Sequence, residues 1–233
     1  MIRVVGIIAA IALAATAAGC GGGTATTTST GSAAATTAST ATAESAQGGA
    51  PRTSTCASIT TPTTEGPYYV TGTAALTGGN LNAAGLPGER IRITGHVYSG
   101  ADKHTPLPNA IVDIWQADAD GTYWPASNGP ADGYADAELR LRGHVATAAD
   151  GTYSFTTILP GEYEGRPRHI HVRATSGDGT QDVVTQLIVS RPGDRTPASA
   201  DAIARSLPAC HTMRFTTVRG TPTAAFDFHL AGA

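Results

Sequence analysis

Polar and apolar residues alternate in short stretches through much of the chain. Residues 90–98 and 152–158 follow this pattern, and residues 110–115 are rich in β-branched and aromatic side chains. Because successive side chains of a strand point to opposite faces, the pattern predicts strands with one buried face. Further strands are predicted at residues 171–174, 183–189 and 226–230.

Turn-forming residues separate these stretches. Glycine, proline or Asp-Gly pairs occur at residues 86–88, 106–108, 120–121, 150–151 and 160–161. A helical turn or two is predicted only at residues 199–206. Many short strands at such spacing are typical of an all-β protein, and we predict an antiparallel β-sandwich.

The first 19 residues have the features of a secretory signal. Arg3 supplies a positive charge, residues 4–18 form an apolar run, and small residues precede Cys20. A small-residue triplet that ends on cysteine resembles the lipobox of bacterial lipoproteins, although Ala17 stands where leucine is usual. We expect export and attachment to the outer face of the cell membrane through a lipid on Cys20. An ordinary cleaved signal is the alternative.

The segment after the signal has no side chains from which to build a core. Apart from Glu44 and Gln47, residues 21–50 are all Gly, Thr, Ala or Ser. Such a segment cannot offset the entropy lost on ordering, so residues 20–54 are predicted to be a disordered tether. Residues 55–233 are long enough for one domain with a substantial core.

Charge and cysteine content limit the possible partners and the redox setting. The net charge is −3 and no run of Lys and Arg occurs, which argues against nucleic acid as a partner. With Cys20 set aside, Cys56 and Cys210 remain, one near each end of the domain. In an exported protein such a pair is most simply a disulfide. Two free buried thiols are the alternative.

Potential metal ligands are concentrated between residues 163 and 171. His169 and His171 lie two positions apart, so they project from the same face if this stretch is extended. Imidazole suits iron, copper, zinc or nickel, but a strand pair without a metal is the alternative. Tyr163 lies at a turn six positions earlier and is either a further ligand or a packing residue. The other five histidines stand alone, which is typical of structural or surface residues.

The sequence Asp-Gly-Thr-Tyr occurs twice, at residues 120–123 and 150–153. Tyr153 begins a predicted strand in which it shares a face with Phe155, so we predict that it lies in the core. Tyr123 instead follows the end of a strand and precedes a loop rich in Gly and Pro. We predict that Tyr123 points into a cleft. Tyr134, which lies in that loop, is the main alternative candidate for this position.

Several motifs in order along the domain resemble those of the intradiol ring-cleavage dioxygenases, the family that contains catechol 1,2-dioxygenase and protocatechuate 3,4-dioxygenase. They are residues 61–69 (TPTTEGPYY), 86–90 (LPGER), 113–123 (DIWQADADGTY), 155–163 (FTTILPGEY) and 166–171 (RPRHIH). The resemblance implies the β-sandwich of that family, with long loops that form the active site. It also implies cleavage of catechol-type aromatics by O2 to cis,cis-muconate-type diacids.

The resemblance further implies a mononuclear non-haem Fe(III) cofactor. By position, its four protein ligands correspond to Tyr123, Tyr163, His169 and His171. Tyr163 corresponds to the ligand that the substrate displaces. The set is chemically consistent, because a trivalent cation strongly favours the deprotonated form of a phenol whose ordinary pKa is about 10.

The same resemblance implies roles for other residues near these ligands. Arg166 corresponds to an arginine that stabilises negative charge on the bound aromatic, and Gln186 to an active-site glutamine. Arg168 stands where many members have alanine, and we expect it to point away from the two histidines. The helical dimerisation segment of catechol 1,2-dioxygenases is not recognised, so the oligomeric state is left open.

Two other functions are compatible with these residues. One is a non-catalytic exported β-sandwich that binds a ligand and keeps a vestigial metal site. The other is an enzyme with Fe(II) held by His169, His171 and a carboxylate such as Glu162.

Overall fold

The computed structural model describes residues 53–54, 56, 58–101 and 105–232. The signal predicted at residues 1–19, Cys20 and almost all of the predicted tether lie outside these residues, as does His104. The described chain is organised around two β-sheets and one short two-stranded ribbon.

The first sheet has six strands and is centred on the longest one, β3. Its members are β1 (Thr53–Ser54), β3 (Arg90–Ser99), β7 (Thr152–Ile158), β11 (Thr216–Val218), β12 (Thr221–Phe226) and β13 (Phe228–Leu230). β7 pairs with β3 in the antiparallel direction, whereas β12 and β13 pair with it in parallel. β12 also pairs with β1 in parallel and with β11 in the antiparallel direction.

The second sheet has five strands in the order β10-β9-β8-β4-β6. They are β4 (Ile111–Trp115), β6 (Arg142–Ala146), β8 (His169–Thr175), β9 (Asp182–Val189) and β10 (Thr212–Met213). Four of them form antiparallel pairs, and β10 joins β9 in parallel. The separate ribbon pairs β2 (Val70–Thr71) with β5 (Gly129–Pro130) in parallel.

The predicted all-β sandwich is confirmed, although its sheets are mixed and not purely antiparallel. Alternation of polar and apolar residues indicates a strand with one buried face, but it does not report the direction of the neighbouring strand. The predicted strand at residues 226–230 is divided at Asp227, whose Oδ1 accepts a hydrogen bond from the backbone N–H of His96 at 3.0 Å. Among the strands longer than three residues, β6 and β12 were not predicted, and the short strand β1 lies at the end of the segment that was predicted to be a disordered tether.

Helical structure is sparse in the described chain. The one α-helix, α1, spans Ala202–Ser206 within the predicted helical turn. Short 3-10 turns occur at Thr77–Gly79, Ala131–Gly133, Asp136–Glu138, Ala198–Ala200 and Ala209–His211. None of the helices in the described residues has the length and apolarity needed to cross a membrane.

The core lies between the two sheets. The first sheet contributes Ile91, Ile93 and Phe155, and the second contributes Ile114 and Ile170, all of them at most 1% exposed. β3 shows the expected alternation, with every second residue from Ile91 to Val97 buried. The domain is also closed covalently, since Cys56 and Cys210 form a disulfide with a Cα–Cα distance of 5.5 Å.

Candidate metal centre

One row of side chains crosses the second sheet and contains several candidate residues. Trp115 on β4 lies opposite Arg142 on β6 and opposite His171 on β8. His171 in turn lies opposite Gln186 on β9. Residues directly opposite one another in a sheet share a face, so strand register places these four side chains side by side.

β8 carries His169 and His171 on the face that points away from the core. Its first four residues are all buried, because Ile170 and Val172 pack in the core while the two histidines are covered on the other face. His169 Nδ1 donates to the carbonyl oxygen of Pro167 at 2.7 Å. In the neutral ring this leaves the lone pair on Nε2, the form that a metal requires.

Burial keeps both imidazoles neutral. Desolvation, with the charge of Arg166, lowers the pKa of His169 to about 4. Desolvation and the neighbouring His169 hold the pKa of His171 well below its ordinary value. The ring of His171 stacks on Trp115 with centroids 5.0 Å apart, and its Nδ1 is a buried nitrogen with no hydrogen-bond partner in the described part of the chain. Neutral, buried imidazoles are suitable metal ligands.

A tight turn after β4 positions Tyr123. The carboxylate of Asp118 accepts hydrogen bonds from the backbone N–H groups of Asp120 and Thr122, at 3.0 and 2.9 Å. The Asp118 N–H also donates to the carbonyl oxygen of Thr122 at 2.8 Å. Tyr123 follows this turn and is only 3% exposed, and its hydroxyl lies 3.4 Å from Nε2 of His169.

A second tight turn, between β7 and β8, presents Tyr163 and Arg166. The Arg166 N–H donates to the carbonyl oxygen of Tyr163 at 2.7 Å, and the two intervening residues have positive φ angles. Such a two-residue turn brings its flanking residues to adjacent positions. The half-buried ring of Tyr163 lies edge-on to that of Tyr123, with centroids 5.2 Å apart.

Two glycines allow these two turns to touch. The Gly161 N–H donates to the carbonyl oxygen of Asp118 at 2.7 Å. A Cβ atom at Gly161 would collide with the backbone nitrogen of Gly121 and would lie 2.6 Å from the carbonyl oxygen of Ala119. The contact is therefore made by backbone alone, and it holds the turn before Tyr123 against the turn that carries Tyr163.

Gly161→Ala is expected to lower the free energy of unfolding by about 1–3 kcal/mol, because the added methyl group forces the two turns apart. It should also reduce the amount of metal bound per chain. Gly133→Ala is the matched control, since a Cβ there meets nothing within 4 Å, and a change within about 0.5 kcal/mol is expected. Urea unfolding and metal analysis of both variants test this, and equal behaviour would contradict the role given to the Gly161 contact.

The structure brings together the four residues that were predicted as metal ligands. The rings of His169 and His171 have centroids 4.9 Å apart, and those of Tyr123 and His171 are 6.2 Å apart. Burial raises the pKa of Tyr123 above its ordinary value. Burial and the hydrogen bond to Tyr68 do the same for Tyr163. Both phenols are thus protonated at neutral pH unless a strong cation displaces the protons, and a trivalent metal fits this donor set.

Tyr68 is a residue at this site that sequence reasoning missed. Its hydroxyl lies 2.6 Å from that of Tyr163, and its ring packs on Tyr123 with centroids 4.7 Å apart. Tyr68 belongs to the TTEGPYY motif, but 95 residues separate it from Tyr163. No local pattern could have connected the two.

Arg142 is a second residue that was missed. It is 6% exposed and donates from Nε to the carbonyl oxygen of Trp124 at 2.7 Å and from Nη2 to that of Pro125 at 2.6 Å. Its Nη1 donates to the carbonyl oxygen of Tyr68. Burial lowers the pKa of the guanidinium to about 10. Arg142 thereby ties the segment that carries Tyr68 to the loop that follows Tyr123.

Arg166 and Gln186 lie beside the four candidate ligands. Arg166 Nη1 lies 3.2 Å from His169 Nε2, and its Nη2 donates to Gln186 Oε1 at 2.8 Å. Asp201, at the start of α1, holds the other side of the guanidinium through Nε at 2.8 Å. Asp201 was not predicted to have a role. Asp201 lies within the predicted helical turn at residues 199–206, and the available signal was that Asp is a common N-cap.

The other tyrosines considered as ligands, and Arg168, have hydrogen-bond partners away from the candidate metal centre. Tyr153 is buried in the core and donates to the carbonyl oxygen of Phe226 at 2.8 Å, as expected for a core residue. The hydroxyl of Tyr134 donates to the carbonyl oxygen of Asn128 at 2.6 Å, within its own loop. Arg168 points to the neighbouring loops, as expected, and contacts Asp194 and the carbonyl oxygen of Pro160.

A facial triad with Glu162 is not supported by the geometry. Its carboxylate accepts from the Thr196 N–H and from Arg195, and the Thr196 hydrogen bond is the main reason that its pKa falls to about 2. Among the described residues, the one close group of three His, Cys, Asp or Glu donors is Cys56, Cys210 and His211, and its two sulfurs form the disulfide. Within the described chain, no carboxylate therefore lies close enough to both histidines of β8 to share an ion with them.

Comparison with known proteins agrees with the motifs and the fold. The chain is 34% identical over 145 residues to chlorocatechol 1,2-dioxygenase from Rhodococcus opacus, a match that covers 53% of each chain. It is 36% identical over 114 residues to the protocatechuate 3,4-dioxygenase beta chain from Burkholderia cepacia, or 46% of each chain. The chain thus spans about half the length of these relatives.

A solved structure also matches with a TM-score of 0.59 and 30% identity. It is the dioxygenase domain of a dioxygenase carbohydrate-binding protein fusion from Streptomyces sp. SirexAA-E, and the match covers 75% of this chain and 99% of that one. The family model described as Dioxygenase matches residues 64–232, which include every candidate ligand, the whole second sheet and all of the first sheet except β1. The chain therefore belongs to the family of intradiol ring-cleaving dioxygenases.

Proposed function

We propose that this protein cleaves catechol-type aromatics between their two hydroxylated carbons with O2, using Fe(III) bound by Tyr123, Tyr163, His169 and His171. The observation that carries the proposal is the convergence of two neutral imidazoles and two phenols from three separate segments. The similarity to a chlorocatechol 1,2-dioxygenase supports the substrate class. When bound, ferric iron would supply the Lewis acidity that holds a catechol through both oxygens.

The two tyrosines have unequal surroundings, which supports different roles. Tyr123 is almost fully buried, and its hydroxyl faces His169. Tyr163 is half-buried, and the hydroxyl of Tyr68 lies 2.6 Å from its own. Of the two phenols, Tyr163 is therefore the better placed to take up a proton from the substrate, because the hydroxyl of Tyr68 lies beside its oxygen as a hydrogen-bond partner. Tyr123 would stay in place.

The remaining residues orient charge and exclude water. Arg166 directs Nη1 toward His169 and so offers a charge-assisted hydrogen-bond donor beside the place where a bound aromatic would become negative. Gln186 is fully buried and holds Nη2 of the same guanidinium. Trp115, stacked on His171, closes one side of the site. Because these dipoles and charges are already in place, little free energy is needed to reorient them during a reaction.

The purified protein with its iron tests the proposal. We expect about one iron per chain, a wine-red colour from ferric tyrosinate absorption, O2 uptake with catechol, and a muconate-type product. A pale protein that binds iron but does not form this product would contradict the proposal and favour the non-catalytic alternative. A substrate panel followed by O2 uptake would then define the accepted ring substituents.

Export and lipid attachment at Cys20 are proposed from sequence alone. Their support is the apolar run at residues 4–18 followed by small residues and cysteine. Mass spectrometry of the mature N-terminus tests this, and an unmodified N-terminus at another residue would contradict it.

A further inference from the structure

The contacts of Arg166 assign a role to Asp201. The Arg166 guanidinium donates from Nε to Asp201 Oδ2 at 2.8 Å and from Nη2 to Asp201 Oδ1 at 3.2 Å. This is the side-on, two-point contact that arginine forms with carboxylates. Nη2 also donates to Gln186 Oε1, so Nη1, which lies 3.2 Å from His169 Nε2, is the nitrogen directed at the candidate ligands.

Asp201 is itself held in place. It is the N-cap of α1, and its Oδ1 accepts a hydrogen bond from the Ala204 N–H at 2.7 Å. Burial opposes its ionisation, but the hydrogen bonds from Arg166 and Ala204 outweigh burial and lower its pKa. The carboxylate side chain is 10% exposed and that of Arg166 is 20% exposed. A charged pair that is this well covered is weakly screened by solvent.

This pair sets the net charge that Arg166 contributes to the site. Arg166 and Asp201 carry opposite charges, so Arg166 offers a directed hydrogen-bond donor with little net charge beyond the pair. The buried Arg142 does not replace it as a docking cation, because its three nitrogens donate to the carbonyl oxygens of Tyr68, Trp124 and Pro125. A carboxylate on the substrate ring would have to compete with Asp201 for Arg166.

We propose that Asp201 is a positioning residue that holds Arg166 with Nη1 toward the metal ligands and cancels its charge, so that the site selects catechols without a ring carboxylate. This inference rests on the proposed function, since it concerns the substrate of the same site. Selection arises from repulsion by Asp201, and also because the two arginines described beside the candidate ligands, Arg142 and Arg166, already have partners.

Asp201→Asn is the variant that tests the proposal. Asparagine keeps the size of the side chain and is an equally good N-cap, but it removes the negative charge. With catechol, kcat/KM is expected to fall by about 10- to 100-fold, chiefly in kcat, because Arg166 is less well oriented. The ratio of kcat/KM for 3,4-dihydroxybenzoate to that for catechol is expected to rise about tenfold, the size expected for one unbalanced charge.

Asp194→Asn is the matched control. Asp194 pairs with Arg168 at 2.7 Å, is 8% exposed, and accepts a hydrogen bond from a backbone N–H, but its pair points away from the site. Asp194→Asn should lower the melting temperature by about as much as Asp201→Asn does. It should leave the ratio of kcat/KM for 3,4-dihydroxybenzoate to that for catechol unchanged. Equal substrate ratios in the two variants would overturn the proposal and show that Asp201 is merely structural.

Binding to the metal-free protein provides a readout that does not depend on turnover. Calorimetry with phenol and 4-hydroxybenzoate should show no preference for the carboxylated probe in the original protein and about a tenfold preference in Asp201→Asn. If the original protein turns over catechols but prefers 3,4-dihydroxybenzoate, the proposal on Asp201 fails while the proposed function stands. If it turns over no catechol at all, the proposed function fails, and the role of Asp201 fails with it.

Discussion

Tyr123→Phe is expected to give a protein that has lost its red colour and most of its iron. Phenylalanine fills the same buried space, so the fold should survive while one of the four donors is removed. Turnover of catechol should fall by more than about 100-fold, since even residues that only support metal ligands contribute 10- to 100-fold. Visible absorption, iron analysis and O2 uptake measure the three effects.

Tyr153→Phe is the matched control for this variant. Tyr153 ends the second copy of Asp-Gly-Thr-Tyr and is as buried as Tyr123, but its hydroxyl donates to the carbonyl oxygen of Phe226. Its loss should destabilise the fold by about 1 kcal/mol and leave the colour intact. The ligand assignment is wrong if Tyr153→Phe is pale and Tyr123→Phe stays red. Tyr163→Phe should also change the colour, because it removes the second phenol.

Replacing both Cys56 and Cys210 by serine is expected to lower the free energy of unfolding by about 2–5 kcal/mol. The disulfide joins residues 154 positions apart, and a cross-link over so long a loop strongly restricts the unfolded chain. Urea unfolding of the variant and of the original protein, with and without reductant, measures the effect. In the absence of reductant both cysteines should resist alkylation, and on reduction their linked peptides should separate and together gain the mass of two hydrogen atoms. Alkylation of both without reductant would contradict the bridge.

The same disulfide lies close to the support of the candidate site. His211, next to Cys210, is fully buried, and its Nδ1 lies 3.1 Å from the carbonyl oxygen of Gln186. Gln186 holds Arg166 through its side chain. We therefore expect the double serine variant to bind iron less well than the original protein under conditions in which both are folded.

Much of the fold could be predicted because strand periodicity is a local property. Residues 152–158 form β7 with the predicted bounds, and β3 and β9 extend the predicted strands by one residue. Among the strands longer than three residues, β6 and β12 were missed. Arg142 is a buried arginine at the start of β6, and β12 contains Pro222, which lowers the propensity for a strand. The parallel pairing of β12 with β3 depends on contacts between distant segments, which local alternation does not encode.

The candidate ligands could be located in part from residue patterns. Alternation placed His169 and His171 on one face, and strand context distinguished Tyr123 from Tyr153. The assignment of Tyr163, Arg166 and Gln186 came from the family resemblance, and the structure places all three near the two histidines. Register supplies the physical reason for Gln186, because His171 lies directly opposite it.

By itself the sequence determined the all-β character, the shared face of the two histidines and the family. Only the tertiary structure decided which distant residues complete the site. Tyr68 reaches Tyr163, Asp201 reaches Arg166, and Arg142 joins two loops. These contacts depend on how loops from different segments pack over one face of the second sheet. Packing of that kind is specified by long-range hydrogen bonds and close backbone contacts, such as that between Gly161 and Gly121, and no local pattern of residues records it.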